Sequence, residues 1–381
     1  MEEKKFIPVC EPKLEGNELA YITDAVQTGW ISSSGKYVKK FEEEFAKYCG
    51  VRHGISVVNG TAAIHLALLA LGIKEGDEII MPNFTMIGSA FPVKYIGAKP
   101  VFVDSETETW NIDPKKIEEK ITDKTKAIMV VHIYGHPCDM NPIIEIAKKY
   151  NLKVIEDAAE AHGAEYNGRR CGSLGDIACF SFYANKMITT GEGGMVVTND
   201  DNLARKCRYY KNLCFPLDGS RTYFHEEIGF NYRMSNVIAA IGLAQLEKID
   251  EFIESRRRNN ILYRYFLKDV EGITFQDEKE NSTNVYWMNG IVINPEKIGF
   301  DRDKFMSRLL IKGVDTRLFF VGMNKQPSLN RDGLQDKSAY PVSDYLSENG
   351  FYLPSGSNLK TDDIKYVCDK IKEVIADIRK I

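Results

Sequence analysis

No stretch of this 381-residue chain is both long and apolar enough to span a bilayer, and its start, MEEKKFIPVCEPKLEGNE, carries no apolar core of signal-peptide length. A cytoplasmic protein with no membrane partner is therefore expected. Surplus positive charge is also missing: 50 Lys and Arg stand against 54 Asp and Glu, for a formal net charge of −4. That balance excludes a dedicated nucleic-acid binder, which needs spare cations to neutralise a phosphate backbone. The basic run Arg256-Arg257-Arg258 is expected to be a solvated helix face. Close cysteine pairs are absent too. The eight cysteines are scattered without metal-ligand spacing, as reduced packing residues would be. The six histidines form no ligand pattern either. His132 and His136 are four apart, but the Tyr-Gly between them suggests a strand entering a turn, not a helix face, and no metal is expected. There is no internal repeat and no low-complexity segment.

What the chain does have is core-forming material, 44% of it hydrophobic, enough for two units. After a helix at 17–28, the loop Gly29-Trp30-Ile31-Ser32-Ser33-Ser34-Gly35 and an amphipathic helix at about 39–48, the pattern alternates. Strands are expected at 78–82, 99–104, 127–134 and 153–156, with helices at 86–96, 113–121 and 141–150 between them. Apolar strands separated by amphipathic helices indicate an α/β fold with a mostly parallel sheet covered on both faces. Residues 1–250 are assigned to this large domain. A charged helix at 251–267 bridges to a small α+β domain over 251–381, with a strand at 285–293 and helices at 302–310 and 361–379.

Three places carry chemistry. The first is 178–198, ACFSFYANKMITTGEGGMVVT, where an apolar strand runs into Lys186 and then a glycine-rich turn. Burial disfavours an ammonium, and a neutral amine condenses with a carbonyl to a Schiff base. The alternative is a lysine that snorkels from a strand end. The second is the helix start at Asn59-Gly60-Thr61, whose free N–H groups suit a phosphate, although Asn59 or Thr61 as a simple cap accounts for the same residues. The third is Asp157, directly after a strand, where ligands gather in parallel sheets. With Glu160 it matches a helix capping box, or it faces a protonated ring nitrogen of a cofactor. An amine, an acid and an anion cradle together match pyridoxal phosphate, which has an aldehyde, a basic ring nitrogen and a phosphate.

The segments GWISSSGKYVKKFEEEFA, NGTAAIHLALLALGI, GDEIIMPNFTMIGSA, VIEDAAEAHGAEYNG, GDIACFSFYANKMITTGEGGMVVTND and GFNYRMSNVIAAIGLAQLE jointly resemble the DegT/DnrJ/EryC1/StrS sugar aminotransferases, of the aspartate-aminotransferase fold type (fold type I). The wording is nearest to GDP-perosamine synthase-like members, which aminate C4 of a nucleotide-linked 4-keto-6-deoxysugar. The resemblance implies that Lys186 bonds the cofactor aldehyde and shuttles the substrate proton, with pyridoxamine phosphate as the intermediate form and L-glutamate as donor. It implies that Asp157 pairs with the pyridinium nitrogen beside Glu160, that Gly60, Thr61 and Ser181 cradle the phosphate, and that Phe84 stacks on the ring. Asn231 is implied to reach the phosphate of a neighbouring subunit in a homodimer with shared sites. Trp30, Tyr183, Tyr232 and Arg233 fall in segments that line the sugar-nucleotide cleft. Relatives with histidine in place of Lys186 remove a hydroxyl instead, so the lysine favours transamination. Perosamine-type relatives read Arg-Pro-Phe-Phe, then Pro-Met-His and Gln-Pro. Here the run Arg317-Leu318-Phe319-Phe320-Val321-Gly322-Met323-Asn324-Lys325-Gln326-Pro327 lacks the first two prolines and the histidine. Arg317 and Asn324 are expected to face the substrate, Lys325 to be a solvated loop charge. A different sugar, another nucleotide or a small phosphorylated ketone is the alternative substrate, and a non-catalytic relative the remaining one.

Overall fold

The computed structural model describes residues 5–220, 222–330 and 339–378. In chain order the first part carries strands β1 (His53–Val57), β2 (Glu78–Pro82), β3 (Lys99–Val103), β4 (Thr125–Val131), β5 (Lys153–Asp157), two-residue β6 (Glu165–Tyr166) and β7 (Arg169–Arg170), β8 (Ile177–Ser181) and β9 (Gly194–Thr198). Its helices are α1 (Glu18–Gln27), α2 (Lys36–Cys49), α3 (Gly60–Leu71), α4 (Phe91–Tyr95), α5 (Met140–Tyr150), α6 (Asp201–Lys211) and α7 (Asn236–Leu246). Seven strands form one sheet in the order β1-β9-β8-β5-β4-β2-β3. From β3 to β8 every pairing is parallel, and β9 runs antiparallel to both β8 and β1. Strands such as Glu78–Pro82, buried at every position, are what a sheet covered on both faces requires.

The long α8 (Ile249–Leu267) leads to β10 (Ile273–Phe275), β11 (Ser282–Thr283), β12 (Asn289–Ile293), α9 (Pro295–Ile298), α10 (Arg302–Ile311), β13 (Arg317–Leu318), α11 (Pro341–Asn349), β14 (Gly350–Leu353) and α12 (Thr361–Ile378). Here the sheet order is β10-β12-β14-β13, all antiparallel, over a core of Phe305, Phe351, Ile364 and Ile371 among others. Residue Ile7, which the sequence groups with the first unit, packs in this second core and bridges to Val314. Among the described residues no helix is long and apolar enough to cross a membrane.

Three expected elements come out differently. The helix expected at 86–96 is a three-residue turn, Ile87–Ser89, followed by the short α4. Pro92 lacks an N–H and its ring clashes one turn back, so no helix runs through it from residue 86. The stretch 113–121 forms two separate 3₁₀ turns, Pro114–Lys116 and Glu118–Lys120, because one buried anchor, Ile117, does not offset the cost of nucleating a longer helix. The strand expected at 285–293 begins only at Asn289, since Tyr286 has φ 48°, incompatible with a strand.

The expectation of a solvated arginine face fails at Arg256 and Arg257, while Arg258 is exposed. Arg256 on α8 is 2% exposed and donates to the carbonyl of Trp287, to Ser357 Oγ (3.1 Å) and to Cys10 Sγ (3.6 Å). Arg257 pairs with Glu278 at 2.7 Å, and Arg258 donates to the carbonyl of Leu359 at 2.7 Å. The three side chains fasten α8 to the second sheet and its loops.

Under the first sheet, Glu156 is fully buried. It accepts from the N–H groups of Gly172 (2.8 Å), Leu174 (2.8 Å) and Gly175 (2.7 Å), and lies 3.0 Å from His132 Nε2. His132 Nδ1 accepts from the N–H of Cys138, which leaves Nε2–H to donate. Cys171 also offers a ligand atom within 4.8 Å of both, but the lone pairs a metal needs on His132 and Glu156 are already engaged. Burial alone raises the Glu156 pKa; His132 and the backbone N–H groups outweigh it and hold the carboxyl below its ordinary range. A lowered folded-state pKa stabilises the fold above the unfolded value, about 4.3, and this contribution is lost as pH falls through the lower folded value. Glu156→Gln is expected to cost about 2–4 kcal/mol at neutral pH and to flatten the fall of stability between about pH 5 and pH 3, read from urea midpoints across that range.

Candidate active site

The carboxyl ends of β2, β4, β5 and β8 open into a cavity of about 420 Å³, walled on other sides by the start of α3 and by Trp287, Phe320 and Tyr352 from the second part of the chain. A parallel sheet gathers its strand ends in this way, so residues distant in sequence share one wall.

Asp157 ends β5, where alternation turns its side chain towards the cavity. Its Oδ2 accepts from Ser89 Oγ at 2.6 Å and its Oδ1 from the N–H of Ala159 at 3.2 Å. Residues 158–161 form a turn, not a helix, so Asp157 with Glu160 is no capping box. Burial pushes the Asp157 carboxyl up from its ordinary range, against the bonds from Ser89 and Ala159 and the charge of Lys186. An acid so placed gains from a cationic partner in the cavity.

Lys186 follows β8 in a turn closed by its N–H on the carbonyl of Tyr183 at 2.9 Å. Its side chain is 11% exposed, with Nζ 3.8 Å from Glu160 Oε1. The other Glu160 oxygen accepts from the N–H of Tyr134 at 2.7 Å, a residue held at φ 54°. Burial pushes the lysine amine down and the Glu160 carboxyl up, each opposing the pull of the other's charge. An amine that burial keeps from holding its proton tightly, with an acid 3.8 Å away, has the property wanted in a proton shuttle.

At the start of α3, Asn59 caps Ala62 N–H with its side chain at 2.8 Å, while the N–H groups of Gly60 and Thr61 have no carbonyl to bond within the helix. The cap reading therefore falls to Asn59, and the Gly60 and Thr61 N–H groups stay without a partner inside the helix. Ser181, at the end of β8, closes the other side: a Cβ on Gly60 would lie 2.8 Å from Ser181 Cβ. Glycine is required here so that a helix start and a strand end meet around one anion-sized space.

The structure thus brings Gly60, Thr61, Asp157, Glu160, Ser181, Tyr183 and Lys186 to one cavity. It corrects Phe84, which is buried against Tyr134, Phe319 and Phe320, with ring centroids 6.0, 5.8 and 6.1 Å away, and does not line the cavity. Met86, two residues on, is half exposed and lines it instead. Asn324 is also corrected: its N–H and side-chain carbonyl bond the buried Asn83 side chain, at 2.9 and 3.1 Å. Lys325 is paired with Asp344 (2.9 Å) and Glu348 (3.2 Å), so it is no free loop charge.

Arg317 on β13 is exposed and pairs with Asp315 at 2.9 Å. Trp30 lines a separate surface depression with Asp24, Lys36 and Asn236. Tyr232 stacks on Phe230, with its hydroxyl 3.2 Å from His65 Nδ1, and Arg233 donates to Asn212 Oδ1 at 2.6 Å. Asn231 is exposed. None of these six, Asn324 included, lines the cavity of its own chain. Sequence reasoning missed Trp287, Tyr352 and Ser89. The first two come from beyond residue 250, with no spacing that ties them to Lys186, and Ser89 ends a turn that was read as part of a helix.

The DegT/DnrJ/EryC1/StrS aminotransferase family model matches residues 12–372. The chain is 44% identical to GDP-perosamine synthase of Escherichia coli O157:H7 over 373 residues, 98% of this chain and 100% of that protein. It is 44% identical to GDP-perosamine synthase of Caulobacter vibrioides over 376 residues, again 98% and 100%. Among solved structures it is similar to DesI in the presence of its TDP-sugar product, with a TM-score of 0.91, 32% identity, and coverage of 99% of this chain and 95% of that one.

The donor set fits pyridoxal phosphate: helix-start N–H groups with two hydroxyls for the phosphate, a buried acid for the ring nitrogen, and an amine for the aldehyde. Gly60→Ala, which forces the helix start away from Ser181, is expected to weaken pyridoxal phosphate binding by about tenfold or more. Phe84→Leu is expected to lower the melting temperature and leave that affinity within about threefold. Absorbance titration of the purified variants checks both.

Proposed function

Since the chain belongs to the DegT/DnrJ/EryC1/StrS aminotransferase family, we propose that it transfers nitrogen from L-glutamate to C4 of a nucleotide-linked 4-keto-6-deoxysugar, the reaction type of a GDP-perosamine synthase, in the cytoplasm. The observation that carries this reading is the meeting of the Lys186 amine, the Asp157 carboxylate and the start of α3 around one cavity.

When bound there, pyridoxal phosphate supplies an aldehyde carbon that bonds nitrogen and a ring that draws in electrons as the neighbouring carbon gives up its proton. Asp157, oriented by Ser89 Oγ, keeps the ring nitrogen protonated. Gly60, Thr61 and Ser181 anchor the phosphate and so set the distance from ring to lysine. Lys186 Nζ takes the proton from the donor carbon and returns it to the sugar side, and Glu160, held by Tyr134 N–H, moderates the charge on that amine. Phe320, Tyr352 and Trp287 exclude water from the reacting atoms.

In this reading a second copy of the chain completes the site. Asn231, Trp30, Tyr232 and Arg233 lie outside the cavity of their own chain, which supports their use by a neighbour. The segment before Asn231 carries Tyr223, Phe224 and Ile228, exposed at 88%, 73% and 84%, and an apolar surface of that kind supports a homodimer.

One observation favours a second substrate. In the segment that departs from the perosamine-type wording, Asn324 bonds the Asn83 side chain and Lys325 pairs with Asp344 and Glu348, so both are engaged within the chain and not turned to a guanine or its ribose. Another nucleotide, or a small phosphorylated ketone, answers to that wall. A panel of GDP-, dTDP- and UDP-linked 4-ketosugars and small keto phosphates, with L-glutamate as donor and 2-oxoglutarate as readout, separates them. Turnover is expected with a nucleotide-linked 4-ketosugar, GDP-linked first, and none with Lys186→Ala, whose far-UV circular dichroism stays that of the parent. Turnover only with a keto phosphate overturns the nucleotide-sugar assignment.

A further inference from the structure

A transaminating lysine is released as a free amine during each cycle, and something must then hold it. In this chain the wall beside Lys186 is the face of Trp287: Nζ lies 3.7 Å from the centroid of the indole ring. Trp287 is 2% exposed and clamped at two points. Its Nε1–H donates at 2.8 Å to the carbonyl of Asn185, the residue just before the lysine. Its own carbonyl accepts from the buried Arg256, which is tied in turn to Ser357 and Cys10. Cys10 Sγ lies 3.8 Å from that same Asn185 carbonyl. The ring and the lysine backbone are therefore fixed to each other, and the ring cannot swing away while Asn185 stays in place.

An aromatic face attracts an ammonium, most strongly where water is excluded. Among the charged and titratable groups near this amine, Glu160 and Asp157 favour its protonated form, Arg256 opposes it, His162 is close enough to feel its charge, and Glu192, Tyr183 and Tyr352 line the same cavity. Burial and Arg256 work against the ammonium; Glu160, Asp157 and the indole face work for it. Without the indole, a four-carbon chain in a cavity of this size has several rotamers open to it.

We propose that Trp287 is a positioning residue of the transamination: its ring face, clamped by Asn185 and Arg256, holds the free Lys186 amine in one place beside Glu160 and, once that amine has taken up a proton, steadies the ammonium until the proton is returned to the substrate carbon. The use made of that amine rests on the aminotransferase reading; the contact itself belongs to the chain alone.

The test measures the amine directly. The full-length chain, stripped of cofactor, is methylated with formaldehyde and cyanoborohydride across a pH series, and modification of the Lys186 peptide is followed by mass spectrometry in the parent, Trp287→Phe and Trp287→Leu. Trp287→Leu, without a π face, is expected to move the midpoint of Lys186 modification down by about one pH unit, and Trp287→Phe, which keeps a face, to stay within roughly half a unit of the parent. Trp287→Met, longer and better able to adapt to the space left, takes the place of Trp287→Leu if that variant does not fold. An unchanged or raised midpoint in the variant without a face overturns the proposal, and so does an equal fall in Trp287→Phe. If the parent takes up no pyridoxal phosphate, the aminotransferase reading fails, while the amine titration still decides the role of Trp287.

Discussion

One buried amine organises this molecule. An ammonium is costly to remove from water, and Lys186 stays within the fold only because Glu160 and the Trp287 ring face stand against its Nζ, with Asp157 contributing from nearby. Each of those groups is itself held by backbone: Glu160 by the N–H of Tyr134, Asp157 by the N–H of Ala159, the indole by the carbonyl of Asn185. The strained φ of Tyr134 is understandable on these terms, since it directs an N–H at a carboxylate whose position governs the lysine.

The same logic explains why the sheet and the second part of the chain must be joined rigidly. Lys186 and Asp157 come from the sheet, but Trp287, Tyr352 and Phe320 come from beyond α8. Arg256 reaches from α8 to the carbonyl of Trp287 and to Ser357, and Trp287 reaches back to Asn185 at the end of the lysine turn. A buried arginine with several hydrogen bonds is an expensive way to fill space, and its place here is as a fastener between the two walls of the cavity.

The half of the site carried by strand ends was legible in the sequence, because strand, turn and helix start each have a local signature. Lys186 after an apolar run, Asp157 after VIE and Gly60 after a strand could all be read residue by residue. What was not legible depends on packing between distant segments. Arg256 looked solvated because charge runs usually are, and nothing local says that α8 is covered on that side. Phe84 seemed the ring that stacks on the cofactor, yet it turns into the aromatic cluster with Tyr134 and Phe319, and Met86 takes the cavity wall. The Asp157 and Glu160 spacing matched a helix cap, but two acids that both face a cavity need a different fate, and the chain turns there instead. Asn324 was read as facing a substrate because the wording around it departs from relatives, and Lys325 as a solvated loop charge, whereas each has found a partner inside the chain.

On the proposed function, a covalent bond joins the cofactor to Lys186 and to no other lysine. Incubation of the purified chain with pyridoxal phosphate, reduction with borohydride, digestion and mass spectrometry of the peptides locate the bond. A single pyridoxyl adduct on the peptide containing Lys186 is expected, and an adduct on another lysine, or none, contradicts the proposed function.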